Sequence, residues 1–245
     1  MSEIAFEKYA IKGAYHWVEY FGPVHRINAY TRARYRTVVA ALAAHNLSAG
    51  APVLDVGCGD GALSGLIVQK LQVAITGIDT VAQSIELARQ EFGKRNLQGQ
   101  FRLIDGYVYP FKDEAFSAVI CSEVIEHVRE PELMLREMWR LVAPGGILIV
   151  TTPVRYTEDP LDRMHVQEWF PNAFRKFCAG TLGAQVDLKL THPVAFAEFY
   201  ASPNPVFGRA FRLSMNVLSK CGLEPFGWDR GFRAYSTQMI TARKA

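Results

Sequence analysis

Four side chains able to hold a cation or move a proton fall in one stretch and its sequel: Glu123, Glu126, His127 and, further on, His165. On a helix, positions i, i+3 and i+4 share a face. The spacing therefore predicts that Glu123, Glu126 and His127 point the same way. Two carboxylates and an imidazole form a mixed oxygen and nitrogen set suited to Mg, Mn or Zn, and His165 would complete it. A divalent ion held there lowers the pKa of a hydroxyl and orients its oxygen. Without an ion, His127 or His165 is a candidate general base with Glu126 beside it. The plainer reading makes Glu126 and His127 residues of a helix surface and Glu123 a contact of a ligand loop.

A second cluster is built on glycine. Gly57-Cys58-Gly59-Asp60-Gly61 places three glycines at alternate positions after an apolar run, Val53 to Val56. Glycines let the backbone approach a ligand closely, and N–H groups at a helix N-terminus suit an anionic or polar ligand. The string also reads Gly57-x-Gly59-x-x-Ala62, the dinucleotide fingerprint. The loop alone therefore leaves open a nicotinamide or another adenosine-containing cofactor. Asp79 ends the next apolar run and suits the two ribose hydroxyls, or equally a helix N-cap. Asp105 suits the adenine amino group, or equally a turn before Gly106.

The elements that must position these residues alternate. Arg26 to Asn46 reads as a helix, rich in alanine and arginine without proline. Val53–Val56, Val73–Ile78, Gln100–Ile104, Ser117–Cys121 and Ile147–Thr151 read as strands. Ala62–Leu71, Val81–Arg95 and Pro131–Val142 read as the helices between them, and Pro144-Gly145-Gly146 as a turn. Strands separated by helices predict an α/β fold, a parallel sheet covered on both faces. Residues 191–232 break this rhythm with prolines and aromatics, and Ala234–Ala242 reads as a final strand. The expected organisation is an N-terminal helical arm or lid (1–48), a core (49–190), a cap or insertion (191–232) and the closing core strand (233–245). In the arm, Tyr9, Tyr15, His16 and Trp17 suit a lid that excludes water, or ordinary packing. In the cap, Phe207, Ala210, Phe211, Ser214, Met215 and Leu218 form a helical stripe flanked by Arg209, Arg212 and Lys220. The stripe is expected to face a core; the alternative is peripheral contact with an anionic membrane.

The 245 residues are 49% hydrophobic and 21% charged, an ordinary globular balance. Net charge is +3, divided as +3 over residues 1–50, −5 over 51–160 and +5 over 161–245. An acidic middle between basic flanks directs an anionic partner to the flanks. The cations are scattered rather than in a stripe, which argues against nucleic acid. No apolar run approaches the ~20 residues of a membrane span, and the start lacks the apolar region of a secretory signal. Cys58, Cys121, Cys178 and Cys221 have no metal-knuckle spacing and are expected as free thiols in a reducing cytoplasm.

Taken in order, the motifs resemble those of the class I S-adenosylmethionine-dependent methyltransferases of type 11. The resemblance rests on Val53 to Gly61, Gly77-Ile78-Asp79, Asp105-Gly106, Phe116 to Glu123 and Leu141 to Gly146. It implies a Rossmann-like, seven-stranded, mostly parallel sheet with an antiparallel last strand. It also implies that Asp55 and the loop residues Gly57, Cys58, Gly59 and Gly61 surround the methionine part of the cofactor. Asp79 and Thr80 would meet the ribose, and Asp105 and Gly106 the adenine. Ser122 and Arg26 would add further contacts. A narrower resemblance is to the ubiquinone-biosynthesis O-methyltransferase family. It is carried by Gly22-Pro23-Val24-His25-Arg26-Ile27-Asn28 and by Glu123-Val124-Ile125-Glu126-His127-Val128. The chain departs from that family at His16-Trp17-Val18, where a Trp-Trp-Asp is usual, and in the short stretch from Pro153 to Met164.

The expected function is therefore methyl transfer from S-adenosylmethionine to a hydroxyl of a small molecule. The acceptor would be a phenol or quinol precursor, or a glycan or lipid-linked sugar. The Glu-x-x-Glu-His pattern also resembles the metal site of RNA 2′-O-methyltransferases. A non-catalytic cofactor-binding protein is the remaining alternative.

Overall fold

The structure, a computed structural model, describes residues 8–156, 162, 164–227 and 231–245. Seven strands form one sheet: β1 (Pro52–Val56), β2 (Ala74–Asp79), β3 (Gln100–Leu103), β4 (Phe116–Ser122), β5 (Val142–Pro153), β6 (Val186–Pro193) and β7 (Tyr235–Arg243). Their spatial order is β3-β2-β1-β4-β5-β7-β6. All pairings among β1 to β5 are parallel, and β7 runs antiparallel to both β5 and β6. The mostly parallel sheet with an antiparallel last strand is thus present. Chain order reverses between β1 and β4. In open α/β sheets the ligand crevice lies at the carboxyl ends of the strands flanking such a point.

Alternation along β1 explains why it is central. Val53 packs into one core and Leu54 and Val56 into the other, as the two-residue period of a strand requires. On the first face lie α2 (Tyr15–Phe21), α3 (Ala29–Ala44), α4 (Ala62–Leu71) and α5 (Ala82–Lys94). They contribute Trp17, Val38, Leu42, Leu66 and Phe92 to that core. The second face is covered by α6 (Pro131–Leu141) and α7 (Pro171–Leu182), with Met138 and Phe174 fully buried. A short α1 (Lys8–Lys12) precedes them all.

Three expectations shift, each for a local reason. The helix expected from Arg26 begins at Ala29, because the Asn28 side chain accepts from the Tyr30 and Thr31 N–H groups and caps it. The expected turn at Pro144 lies inside β5. Pairing with β4 jumps from Phe116↔Val142 to Ala118↔Ile147, so the intervening residues bulge from a continuous strand. The cap is two helices, α8 (Val194–Tyr200) and α9 (Pro205–Lys220). The stripe expected to face a core does so only in part. Phe211, Met215 and Leu218 are half-buried, while the residues α9 buries outright are Gly208, Asn216 and Ser219.

Candidate functional site

The chain leaves β1 at Val56 and turns at once into the glycine loop. Gly57, Gly59 and Gly61 have φ of 73°, 55° and 78°, the left-handed region that glycine enters without cost. The Gly57 and Cys58 N–H groups donate to Ile78 O at 2.8 and 3.0 Å, stitching the loop to β2. A Cβ on Gly57 would strike the Val124 side chain, and one on Gly59 would overlap the Tyr9 hydroxyl. The loop is therefore a close-walled cradle. Asp79 accepts from the Gly59 N–H at 2.9 Å and from the Val81 N–H at 2.8 Å, one on each oxygen. That fixes the carboxylate at the cavity wall with lone pairs to spare. Burial raises its pKa, against the opposing pull of those backbone donors. Asp55 is 2% exposed. Burial pushes it up to about 6, although the Ser64 hydroxyl donates to it at 2.5 Å.

The N-terminal helices close over this loop. The His16 N–H donates to the Asp60 carboxylate at 2.9 Å, and the Trp17 indole N–H to the Asp60 carbonyl at 2.6 Å. Tyr9, Tyr15 and His16 reach the same cavity, with the Tyr15 and His16 rings 3.9 Å apart.

The opposite wall comes from the segment after β4. Glu123 takes φ of 58°, and only a 3₁₀ turn, Ile125–His127, follows. The α-helical face expected for Glu123, Glu126 and His127 is therefore not formed, and the two carboxylates part. Glu123 pairs with Arg34 at 2.6 Å and accepts from the Thr151 hydroxyl at 3.0 Å. Glu126 is 1% exposed and accepts from the Thr152 hydroxyl at 3.0 Å. His127 Nδ1 lies 2.9 Å from Met164 O. A carbonyl only accepts, so Nδ1 carries the proton and Nε2 is bare. His165 Nδ1 lies 2.5 Å from the Glu168 carboxylate, and the two imidazoles are 4.9 Å apart.

One ligand atom from each of Glu126, His127 and His165 lies within 4.8 Å of the others. Glu123, expected as a fourth, stands outside this set. Burial, with Glu123 nearby, holds the Glu126 carboxyl well above the usual range. Burial lowers His127 against the opposing hydrogen bond to Met164. One carboxylate oxygen and two imidazole nitrogens brought this close together make a mixed oxygen and nitrogen donor set of the kind a divalent cation takes.

Cradle and cluster share one cavity of about 550 Å³. Of the residues expected at the cofactor, Asp55, Gly57, Cys58, Gly59, Asp79, Thr80, Gly106 and Ser122 line it. Gly61, Asp105 and Arg26 are not on its wall. Gly61 caps α4 from behind the loop. Asp105 is exposed while Ile104 and Gly106 face the cavity, and Arg26 is exposed in the turn before α3. The α3 arginine that does reach the cavity is Arg34, accompanied by Tyr30 and Tyr35. The motif reading passes over them. Their signal is helical spacing: Tyr30 and Arg34 sit one turn apart on α3, beside the buried Tyr35. Tyr107 and Tyr109 add two more rings to the wall.

The family model for a methyltransferase domain matches residues 54–150. The chain is 30% identical over 165 residues to a ubiquinone biosynthesis O-methyltransferase of Stutzerimonas stutzeri, covering 64% of this chain and 68% of that one. It is also 30% identical over 137 residues to a 2-methyl-6-phytyl-1,4-hydroquinone methyltransferase of Synechocystis, covering 52% and 43%. The chain spans about half the length of the first curated relatives it matches. Among solved structures, a Haemonchus contortus phosphoethanolamine N-methyltransferase in complex with S-adenosyl-L-methionine superposes with a TM-score of 0.65 at 13% identity. That likeness covers 99% of this chain and 60% of the other, and it concerns the fold alone.

Proposed function

Because the chain belongs to the class I S-adenosylmethionine-dependent methyltransferases, we propose that it transfers a methyl group to a hydroxyl oxygen of a small acceptor. The observation that carries this reading is the single cavity in which the glycine cradle faces Glu126, His127 and His165. S-adenosylmethionine, when bound, supplies an electrophilic methyl. The chain's own residues bind, align and exclude water. Asp79 accepts the ribose hydroxyls, and Asp55 and the glycine loop hold the methionine end. Tyr9, Tyr15 and His16 wall the cavity from solvent, which strengthens every polar interaction inside it. Alignment of donor and acceptor is the larger part of the task.

Glu126, His127 and His165 would hold a divalent cation, Mg, Mn or Zn. Both Nδ1 atoms are tied to oxygen acceptors, so each imidazole presents Nε2 in a fixed orientation, as metal-binding histidines do. The ion would lower the pKa of the acceptor hydroxyl. The tyrosines of the wall favour a flat acceptor, a phenol or quinol, whether free or lipid-linked. No helix among the described residues is long and apolar enough to cross a membrane. Free cysteines, three of the four buried, fit a cytoplasmic setting.

Titration calorimetry with S-adenosylmethionine and with NADH tests the cofactor reading. Tight binding of NADH alone would overturn it. Transfer of labelled methyl to a panel of catechols, quinols and sugars tests the acceptor class. Transfer confined to amines would overturn oxygen as the target.

A further inference from the structure

The helix α9 is folded with its polarity turned outward. Its buried side is polar and fully engaged. Asn216 accepts from the Ala29 N–H at 3.1 Å and from the Tyr200 hydroxyl at 2.8 Å, and it donates to Val24 O and Ile27 O. Ser219 accepts from Arg32 at 2.8 Å. The opposite side is apolar and in solvent. Val206, Ala210, Leu213 and Val217, spaced by four, three and four, form one face. Val206 is 79% exposed, Leu213 50% and Val217 43%. At the N-terminal end of this face Phe199 of α8 and Phe207 stack edge to face at 5.7 Å, each 47% exposed. Arg209 and Lys220 are exposed and eleven residues apart, hence on the same flank and about 16 Å from each other along the axis.

An apolar ridge bordered by cations matches an anionic lipid surface. We infer that the outer face of α8 and α9 docks on an anionic membrane, with the ridge in the acyl boundary and Arg209 and Lys220 at the headgroups. A second copy of this chain fits less well. α9 carries no acidic residue and α8 only Glu198, so two copies docked on this face would bring like charges together. The inference rests on the surface of the cap and stands whichever acceptor the cavity takes.

Co-sedimentation of the full chain with vesicles of phosphatidylcholine, with and without about one third phosphatidylglycerol, tests it. Binding should require the anionic lipid and fall as salt rises, because the Debye length shrinks from about 10 Å at 0.1 M to about 3 Å at 1 M. Arg209→Gln and Lys220→Gln should each weaken partitioning about fivefold. Leu213→Ser with Val217→Ser should weaken it about tenfold or more. None of these side chains is buried or lines the cavity, so cofactor affinity should not change, and melting should hold for Arg209→Gln. Lys220 also donates to Phe21 O at 3.4 Å, so its variant is read by its ratio of binding to anionic and neutral vesicles. Equal binding to neutral vesicles would overturn the inference, as would binding indifferent to all four substitutions. A concentration-dependent dimer abolished by Val217→Ser, without vesicle binding, would assign the face to a second copy instead.

Discussion

Asp55 is a carboxylate the fold tolerates rather than needs, and Asp55→Asn should expose that. It is 2% exposed at the end of β1, and burial lifts its pKa from 3.8 to about 6, with Asp79 adding to the rise. The sign follows from linkage. The folded state binds the proton more tightly than the unfolded chain, so ionisation of Asp55 works against folding. The penalty is absent below pH ~3.8, grows as pH rises through the interval to ~6, and is full above it. A gap of about two pKa units at 1.36 kcal/mol each gives roughly 3 kcal/mol. Asparagine is nearly isosteric, and its carbonyl can still accept from Ser64. Asp55→Asn should therefore stabilise the cofactor-free protein by up to about 3 kcal/mol at pH 8, or ~6–12 °C in melting temperature for a chain of this size. The gain should shrink to a few tenths of a kcal/mol near pH 4. If Asp55 holds the methionine end of S-adenosylmethionine as proposed, the same substitution should weaken cofactor binding by about 1.5–3 kcal/mol. Calorimetric melts at pH 4, 6 and 8 check the first half, and titration calorimetry the second. A variant less stable than the parent at pH 8, or a gain independent of pH, would refute the argument.

Three further outcomes are expected. EDTA should abolish turnover while leaving cofactor affinity nearly unchanged, and Mn should restore activity; if EDTA is harmless while His127→Ala costs about 10²–10⁴ in rate, the imidazole is a metal-free base instead. Arg34→Met and Glu123→Gln, made singly and together, should couple by about 0.5–3 kcal/mol in denaturant melts; strictly additive losses would mean that the 2.6 Å pair does not tie α3 to the segment after β4. Gly59→Ala should push Tyr9 off the loop and strain a φ of 55° at a cost of about 1–2 kcal/mol. Amide exchange over α1 and α2 should then accelerate, and unchanged protection there would show that the arm does not close on the loop.

Much of the architecture is legible in the sequence because the signals that set it are local. The glycine string, the apolar runs and the carboxylates at strand ends depend on neighbours within a few residues. The first four strands fall within a residue of where those patterns place them, while β5 contains its expected span but starts earlier. The losses come from contacts distant in sequence. Nothing near Glu123 announces that it will take positive φ and turn toward Arg34. Its partner lies 89 residues away, and a regular helical spacing is the natural default without it. Arg26 and Arg34 are equally plausible on composition. The Asn28 cap starts α3 at Ala29, which leaves Arg26 in the preceding turn and places Arg34 on the helix. The stripe in α9 misleads for a related reason: pattern reading assigns apolar residues to the inside, whereas Asn216 and Ser219 are drawn inward by unpaired backbone and guanidinium donors in the N-terminal region.

Contacts from three parts of the molecule meet on α3. Within two turns, Ala29 donates its N–H to Asn216 of α9, and Tyr30 hydrogen-bonds Ser236 and Thr237 of β7. Arg32 donates to Ser219, and Arg34 meets Glu123. One rigid element thus joins the cap, the closing strand and the cavity wall. A helix kinks sharply only where its ladder is interrupted, and α3 has no proline between Ala29 and Arg34, so these anchors are held by about one and a half turns of continuous helix. The cap and the wall beside Glu126, His127 and His165 are therefore anchored on the same helix. A surface that grips α9 would also bear on the position from which Tyr30, Arg34 and Tyr35 line the cavity. Such a link is weakest if the anchors are interchangeable hydrogen bonds and strongest if they are shape-specific. Asn216, with four partners divided between α3, its preceding turn and α8, is of the second kind. No other side chain offers two donors and an acceptor in that planar arrangement except glutamine, which is one methylene too long.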